Sequence, residues 1–301
     1  MKIAITGAFS YSGKYVARRL LERGEQVITL TGHPNRPNPF NGKIKAYPLD
    51  FNNEKELQES MHGVDVLVNT YWVRFDRGKN TQPRAVENTR KLIQAASRAK
   101  VKRIIHISIA NPSADSPLPY YWSKAANEKA VIESGMSYAI LRPTVLIGAE
   151  DILINNIAYL LRRSPFFVLP GDGSYGIQPV YVEDLADLAA EAIYRKDNSI
   201  VDAVGPDIFT FKEMVSLIGE KISAKRASIP VPPSLALLAA QLLSLFLGDV
   251  LLTPEEVKGL MTNLLVSKNP PLCKTHLADW LEENKDTVGV KYASEIRRHY
   301  Q

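Results

Sequence analysis

Residues 2–13 read KIAITGAFSYSG, and their pattern indicates the class of fold. Its first five residues form a short apolar run, which is typical of a buried parallel strand. A turn bounded by Gly7 and Gly13 follows, and the residues after it have the apolar spacing of a helix. In such a strand–turn–helix unit the backbone N–H groups of the turn and the helix start attract phosphate groups. The stretch therefore predicts a pyrophosphate site at the start of an α/β sheet.

The glycine spacing fits a dinucleotide-binding turn with one exception. Gly7 permits the tight turn and Gly13 permits close packing of helix on strand, whereas Ser10 stands where the common TGxxGxxG pattern has its middle glycine. A serine there narrows the approach of a phosphate but offers it a hydroxyl. The residues predicted to hold the cofactor at this turn are Gly7, Phe9, Ser10, Tyr11, Ser12 and Gly13.

The end of the second predicted strand bears on the choice between NAD and NADP. NAD sites usually have an acidic residue about 20 residues after the turn, where it binds the ribose hydroxyls. Here no Asp or Glu occurs between Glu25 and Asp50, and His33 and Arg36 follow the strand. A histidine and an arginine suit a 2′-phosphate. The sequence predicts NADP or NAD as the cofactor and favours NADP.

Short apolar runs and amphipathic stretches alternate through the first half of the chain. This alternation predicts an α/β protein with a doubly wound parallel sheet of the Rossmann type. Residues 1–150, with 177–205 returning to them, are expected to form the dinucleotide-binding core. The predicted strands are Lys2–Thr6, Gln26–Thr31, Ile44–Pro48, Val64–Asn69, Arg103–Ser108 and Tyr138–Pro143, and the predicted helices are Gly13–Arg23, Glu54–Met61, Pro83–Ala99 and Tyr120–Glu133.

Helical patterns dominate after about residue 150. Residues 151–176 and 206–301 are expected to form a smaller, mostly helical C-terminal cap that binds substrate. Pro and Gly are frequent over Ser164–Gly176, which predicts a loop there. Val180–Val182 is predicted as a short strand, and helices are predicted over Ile152–Arg163, Asp184–Arg195, Phe211–Ile222, Ser234–Leu247, Pro254–Leu265 and from Leu277 to the end.

Composition excludes several classes of function. The 301 residues are 45% hydrophobic and 23% charged, and the formal net charge is +5. Basic residues are interspersed with acidic ones rather than gathered in a stripe, which argues against a nucleic-acid partner. Cys273 is the single cysteine, which fits a reducing, cytoplasmic location. The five histidines lack metal-ligand spacing, so no metal is predicted, and a small-molecule substrate is the expected partner.

One segment bears on membrane contact. Leu235–Leu247 reads LALLAAQLLSLFL, which is too short to span about 30 Å of hydrocarbon and is interrupted by Gln241 and Ser244. We expect a buried or groove-lining helix, and a groove-lining position would imply an apolar substrate. The alternative is an interfacial helix that holds the protein on a membrane surface.

Five segments in a fixed order resemble the extended and atypical short-chain dehydrogenases/reductases. The resemblance covers nearly the whole chain and is nearest to the branch of the Rossmann-fold accessory subunit of respiratory complex I, often labelled NAD-dependent epimerase/dehydratase. The segments are TGAFSYSGKYVARRLLERG (6–24), ENTRKLIQAASRAKVKRIIHIS (87–108), YYWSKAANEKAVIESG (120–135), LRPTVLIG (141–148) and PVYVEDLA (179–186).

The resemblance implies roles for several residues. Asp50 and Phe51 match the position at which family members hold the adenine. Asn88 matches a structural asparagine, and Ser108 matches a catalytic serine that would orient the substrate oxygen, with Ser113 as an alternative. Pro143 and Thr144 are implied to pass close to the nicotinamide.

Tyr120 and Lys124 match the family's YxxxK pair, and their spacing places both on one face of a helix. A nearby ammonium favours phenolate and lowers the pKa of a tyrosine from its usual value of about 10. Tyr120 is therefore predicted to move a proton during hydride transfer, with Lys124 also binding the ribose hydroxyls. A chance contact on the helix surface is the alternative.

The residues after the fourth predicted strand lie at the carboxyl edge of the sheet, where ligands of α/β folds bind. Asn69 and Thr70 are predicted to contact the cofactor. Tyr71, Trp72 and Arg74 are predicted to contact the substrate, with plain packing and a solvated arginine as alternatives. Together these patterns predict an NAD(P)-dependent oxidoreductase or epimerase. The alternative is a non-catalytic NAD(P)-binding protein that acts in assembly or as a redox sensor.

Overall fold

A computed structural model describes residues 1–300 and, for residues 298–300, the backbone alone. The side chain of His299, one of the five histidines, therefore lies outside the described part. The chain forms two compact units. The first unit comprises Met1–Pro143 and Val182–Ala203, and the second comprises Thr144–Tyr181 and the chain from Val204 onward.

The first unit contains a seven-stranded sheet in which every pairing is parallel. The strand order is β11-β6-β5-β4-β1-β2-β3, which confirms the predicted doubly wound α/β fold. Numbered in chain order with all other strands, they are β1 (Lys2–Thr6), β2 (Gln26–Thr31), β3 (Lys45–Pro48), β4 (Val66–Asn69), β5 (Arg103–Ile107), β6 (Ser137–Pro143) and β11 (Ser199–Ala203).

Helices lie in two groups around this sheet, because its central strands are apolar on both faces. Helices α1 and α6 contact each other, while α3 contacts both α2 and α4. Leu57 on α2, Leu92 on α3 and Val131 on α4 share one apolar core with Ile104 of β5. These helices are α1 (Tyr11–Glu22), α2 (Glu54–Ser60), α3 (Gln82–Arg98), α4 (Pro119–Glu133) and α6 (Val182–Ala192).

The second unit combines helices with pairs of short strands. Its core joins residues of α5 and α7, including Ile157 and Met214, with Trp280 of α10. The helices are α5 (Leu153–Arg163), α7 (Phe211–Lys221), α8 (Pro233–Leu247), α9 (Pro254–Met261), α10 (Leu277–Asn284) and α11 (Glu295–Tyr300). The strands are β7 (Val145–Ile147), β8 (Phe166–Pro170), β9 (Gly176–Ile177), β10 (Pro179–Tyr181), β12 (Phe209–Thr210) and β13 (Ala227–Val231), paired as β10–β7, β12–β9 and β13–β8.

Two predictions for the second unit are wrong in their secondary structure. The loop predicted over Ser164–Gly176 contains β8, which pairs in parallel with β13. The helix predicted from Leu277 to the end is interrupted, since α10 ends at Asn284 and α11 begins at Glu295. Gly289, between the two helices, has a positive φ of 69°. A Cβ at Gly289 would lie 2.5 Å from Ala158, so this close approach admits only glycine.

The expectation of a buried helix over Leu235–Leu247 is also wrong. Only Ala236 and Ala240 of α8 are buried, whereas Leu245 and Phe246 are 80% and 89% exposed. The two alanines face inward at a spacing of one helical turn, and the bulky residues occupy the opposite side. Within residues 1–300, no helix is both long and apolar enough to cross a bilayer.

Candidate nucleotide-binding and catalytic site

The turn after β1 is shaped by two glycines. Gly7 has a φ of 73°, and its N–H donates to the carbonyl of Leu30 at 2.9 Å, which joins the turn to β2. A Cβ on Gly13 would lie 2.2 Å from the carbonyl oxygen of Gly7. Only glycine permits this approach of helix to turn, which is the role that the spacing predicts for Gly13.

Helix α1 begins directly at this turn, with the extended residue Ser10 as its N-cap. Tyr11, Ser12 and Gly13 carry the first three N–H groups of the helix, which by helix geometry have no acceptor within it. Such groups and the positive end of the helix dipole bind a pyrophosphate. Phe9 extends from the turn toward Phe40, and their ring centroids are 6.4 Å apart. The turn therefore fits a dinucleotide cofactor.

Polar side chains tie the end of β1 to β4 and β5. The hydroxyl of Thr6 donates to Oδ1 of Asn69 at 3.1 Å and accepts the N–H of Thr70 at 2.8 Å. The Asn69 amide nitrogen lies 3.1 Å from Nδ1 of His106. Burial and the charge of Lys124 lower the pKa of His106 to about 3, so its imidazole is neutral. Contacts of Asn69 and Thr70 with the cofactor stay predictions, and their side chains here hold three strands together.

The two basic candidates for the adenosine phosphate are neighbours. The N–H of Arg36 donates to the carbonyl of His33 at 3.1 Å, which forms a turn after β2. Desolvation and the charge of Arg36 lower the pKa of His33. The backbone bond places the two residues in one turn at the carboxyl end of β2. This arrangement can offer a fixed positive charge to a 2′-phosphate.

The predicted adenine residues lie beside Tyr71. Oδ1 of Asp50 accepts the N–H of Asn52 at 2.9 Å, and the Phe51 ring centroid lies 5.0 Å from that of Tyr71. The Tyr71 hydroxyl accepts a hydrogen bond from Asn88 at 2.9 Å. Tyr71, predicted as a substrate contact, therefore packs against the residue predicted to hold the adenine.

Tyr120, Lys124 and Glu128 follow one another along one face of α4. Lys124 is only 3% exposed, and its Nζ donates to the carbonyl of Ile107 at the end of β5 over 3.2 Å. Burial lowers the pKa of Lys124 to about 7, and the charge of Glu128 acts in the opposite direction. The Lys124 Nζ lies 6.0 Å from the centroid of the Tyr120 ring. The structure thus brings the YxxxK pair together as predicted from its spacing.

Trp72 packs against both members of this pair. Its ring centroid is 5.6 Å from that of Tyr120 in an edge-to-face arrangement and 4.5 Å from Nζ of Lys124. The backbone carbonyl of Arg74 accepts a hydrogen bond from Gln82, and its guanidinium lies 5.8 Å from the Phe75 ring. Trp72, one of the three residues predicted to contact substrate, thus packs against Tyr120.

Ser108 is bonded elsewhere than to Tyr120. Its hydroxyl donates to Oε1 of Glu128 at 2.5 Å, and Arg142 binds both carboxylate oxygens of Glu128 at 2.9 and 2.6 Å. The alternative serine, Ser113, is exposed and accepts the N–H of Asp115. Sequence reasoning missed Glu128 and Arg142. The available signals were that Glu128 lies one turn after Lys124 and that Arg142 interrupts an apolar strand.

Tyr121 differs sharply from its neighbour Tyr120. Burial raises the pKa of Tyr121 to about 12, and the residue is only 5% exposed. A hydroxyl in that environment holds its proton at neutral pH. Tyr121 is therefore poorly suited to proton transfer at neutral pH, and the role of Tyr120 stays a prediction.

The remaining predicted residues lie at the boundary of β6. The carbonyl of Pro143 accepts the N–H of Ala110 at 2.8 Å. Thr144 belongs to the second unit, where its hydroxyl donates to the carbonyl of Gln178. Their proximity to the nicotinamide stays a prediction. Across the part of the chain that the structure describes, no group of three or more His, Cys, Asp or Glu side chains is arranged to hold a metal ion.

The profile of a protein family described as NAD(P)H-binding matches residues 7–159, which are 153 of the 301 residues. The chain belongs to this NAD(P)H-binding family. The predicted cofactor class is therefore confirmed. The resemblance of this NAD(P)H-binding protein to atypical short-chain dehydrogenases/reductases is confirmed by its relatives and by solved structures of the same fold.

Two curated relatives of the NAD(P)H-binding protein are described as a respiratory-complex subunit and a photosystem assembly factor. It is 25% identical over 284 residues to the mitochondrial NADH dehydrogenase (ubiquinone) 1 alpha subcomplex subunit 9 of Arabidopsis thaliana, across 88% of this chain and 71% of the relative. It is also 25% identical over 194 residues to the photosystem II assembly factor Ycf39 of Cyanidium caldarium, across 64% of this chain and 61% of the relative.

Among solved structures, the NAD(P)H-binding protein shares its fold with an NADPH-dependent quinone oxidoreductase of Escherichia coli that is complexed with NADPH. The TM-score is 0.76 at 22% sequence identity, over 93% of this chain and 99% of the other. At this level of identity the likeness shows the fold alone.

Proposed function

We propose that this protein is an NAD(P)H-dependent oxidoreductase in which Tyr120 transfers a proton and Lys124 supplies the charge beside it. The observation that carries the proposal is the position of Lys124. Its Nζ is buried one helical turn from Tyr120 on the same face of α4 and is fixed by the carbonyl at the end of β5. Burying a cation lowers the stability of the folded protein, so a buried lysine beside a tyrosine indicates a functional site.

The chemistry follows from these groups. The bound nicotinamide supplies or accepts the hydride. In the reducing direction the Tyr120 hydroxyl gives its proton to the carbonyl oxygen of the substrate, and the product is the alcohol or hydroquinone. The Lys124 ammonium stabilises the resulting phenolate, which then regains a proton from solvent. Epimerisation would start instead from an alcohol, which would lose its hydroxyl proton to the Tyr120 phenolate and its hydride to the oxidised cofactor. The resulting ketone would turn over and regain both on the opposite face of the same carbon.

We propose a small, planar, apolar carbonyl compound such as a quinone as the substrate. The edge-to-face rings of Trp72 and Tyr120 form an aromatic surface beside the proton donor, and aromatic rings pack well against flat conjugated molecules. The description of an E. coli protein of this fold as a quinone oxidoreductase supports the same class. We further propose NADP as the preferred cofactor, because Arg36 and His33 share the turn that follows β2.

The experiment follows NADPH oxidation with a panel of quinones for the wild type, Tyr120→Phe and the matched control Tyr121→Phe. We expect Tyr120→Phe to lose about 100-fold or more in kcat while keeping NADPH affinity, because only proton transfer is removed. Tyr121→Phe should keep its turnover. Equal turnover by Tyr120→Phe and the wild type would overturn the role of Tyr120.

A second function, that of a non-catalytic NAD(P)H-binding partner or assembly protein, is favoured by two contacts. The ring of Trp72 covers the Lys124 ammonium, and Glu128 binds the hydroxyl of the predicted catalytic serine, Ser108. The descriptions of the two relatives as a respiratory-complex subunit and an assembly factor fit this function. Tight NADPH binding by the wild type with no oxidation across the quinone panel would favour it over the first proposal.

A further inference from the structure

Helix α8 exposes a continuous apolar face, which we call the leucine face. It consists of Leu235, Leu238, Leu242, Leu245 and Phe246, whose exposed fractions run from 51% to 89%. Their spacing of three and four residues places them on one side of the helix. A contiguous apolar patch beyond the order of a few hundred Å² is uncommon on a soluble monomer and marks an interaction site.

The leucine face is held outward by the packing of the opposite side. Ala236 and Ala240 are buried, and α8 contacts β8, the strand that pairs with β13. Alanine lets the helix lie close to the strand, so the larger side chains remain on the outside. Phe166 at the start of β8 and Ile229 on β13 are 46% and 41% exposed and add to the apolar surface of these elements.

Four exposed cations, which we call the basic rim, gather where β8 and β13 begin. They are Arg163, Lys225, Arg226 and Lys291. Arg226 precedes β13 directly, and its Nε donates to the carbonyl of Ser164 at 2.9 Å, two residues before β8. Arg163 donates to the carbonyl of Val290 at 2.8 Å, which places Lys291 beside it. One acidic residue, Glu220, pairs with Lys225 at 3.0 Å.

The basic rim meets the leucine face at the carboxyl end of α8. Asp249 follows the helix by two residues and accepts a hydrogen bond from the Tyr292 hydroxyl at 3.0 Å. It also accepts the N–H groups of Glu295 and Ile296. Because Tyr292 adjoins Lys291, these bonds hold the Phe246 end of the helix next to the rim. The apolar side chains of the leucine face and the cations of the basic rim thus lie side by side on one surface.

We propose that this surface docks the protein on a bilayer that contains anionic phospholipids. The leucine face enters the boundary between headgroups and acyl chains, and the basic rim meets the lipid phosphates. A helix that lies in this boundary does not need the length of a membrane span. The apolar residues supply the burial, while the cations make binding depend on lipid charge and on salt.

The charge pattern favours a bilayer over a second copy of the chain. Helix pairs between protein chains set their register with charged residues beside the apolar seam. The sequence from Ala227 to Gly248 contains no charged residue, and the leucine face is flanked by Ser234 and Gln241. A lipid surface needs no such register, and its phosphates complement the rim.

The test is flotation of the full-length protein with vesicles of neutral phosphatidylcholine and with vesicles that also contain phosphatidylglycerol. We expect the wild type to float with the anionic vesicles and to be released as salt rises. Phe246→Asp should lower the partition coefficient at least tenfold. Ile208→Asp is the matched control, because Ile208 is a 58% exposed apolar residue outside the leucine face, and it should float like the wild type.

A second variant, Lys225→Gln with Lys291→Gln, tests the rim separately. It should reduce the preference for anionic over neutral vesicles while leaving NADPH affinity unchanged. Failure of the wild type to float, or equal flotation of Phe246→Asp, would overturn the proposal. The face would be assigned to a second copy instead if the wild type did not float but formed concentration-dependent dimers in sedimentation without lipid. Phe246→Asp should then lack these dimers. None of these results depends on turnover or on the role of Tyr120.

Discussion

The ammonium of Lys124 lies 4.5 Å from the centre of the Trp72 ring. Cation–π contact of this kind stabilises a buried lysine that has few other partners. The same ammonium is expected to bind the nicotinamide ribose, so Trp72 must contact the cofactor or move when it binds. The fluorescence of Trp72 should therefore report cofactor binding at this site.

We predict that NADP⁺ quenches the fluorescence of Trp72, because an oxidised nicotinamide quenches an indole by contact. The chain has three tryptophans, so each can be removed in turn. Trp72→Phe should lose most of the quenching seen in the wild type. Trp280→Phe, which removes a buried tryptophan of the second unit, is the control and should keep it. Full quenching in Trp72→Phe would place the nicotinamide elsewhere.

Arg36 should determine the choice between the two cofactors. A guanidinium can form charge-assisted hydrogen bonds with a 2′-phosphate but gains little from two ribose hydroxyls. We predict that Arg36→Ala weakens NADPH binding about tenfold or more and changes NADH binding little, as measured by calorimetry. An equal loss for both cofactors would show that Arg36 acts on the fold of the turn rather than on the phosphate.

Burial of Lys124 should make stability depend on pH. Its pKa falls from 10.5 to about 7 in the folded protein, so between these values the unfolded chain binds the extra proton. Stability is therefore reduced at low pH and recovers as the pH rises from about 7 to 10.5. We predict that Lys124→Met exceeds the wild type in unfolding free energy at pH 6 by on the order of a few kcal/mol.

In urea unfolding, the difference in unfolding free energy between Lys124→Met and the wild type should become smaller toward pH 10. Lys129→Met is the control, since Lys129 lies on the same helix with its side chain 74% exposed, and it should show no such trend. A gap that is the same at every pH would mean that the Lys124 ammonium is well solvated or paired in the folded state.

The first unit was largely predictable because its central strands are local apolar runs. Lys2–Thr6 and Gln26–Thr31 match the observed strands, and β4 begins two residues later than predicted. Strand β11 was missed because it lies at the edge of the sheet, where Ile200 is 40% exposed, and pairs with β6 about 60 residues earlier. A strand stabilised only by a distant partner leaves little local signal.

Apolar composition predicted helix α8 but not its burial. The run of leucines fixes the secondary structure, whereas the side that packs is set by Ala236 and Ala240 against β8. Likewise, the spacing of Tyr120 and Lys124 predicted a shared helix face. The contact of Trp72 with Lys124 depends on a loop conformation that no periodicity describes. Residues on one helix face are set by their spacing in the sequence, whereas the contacts of a loop depend on distant parts of the chain.

The turn from Gly7 to Gly13 should hold the cofactor pyrophosphate, which calorimetric titration with NADPH can measure. A Cβ at Gly13 would meet the Gly7 carbonyl at 2.2 Å, while one at Gly32 would meet nothing within 4 Å. Opening the turn costs about 1–3 kcal/mol, so Gly13→Ala should bind NADPH about ten- to a hundredfold more weakly. Gly32→Ala should bind NADPH like the wild type. Wild-type affinity in a folded Gly13→Ala variant would show that the pyrophosphate is not bound at this turn.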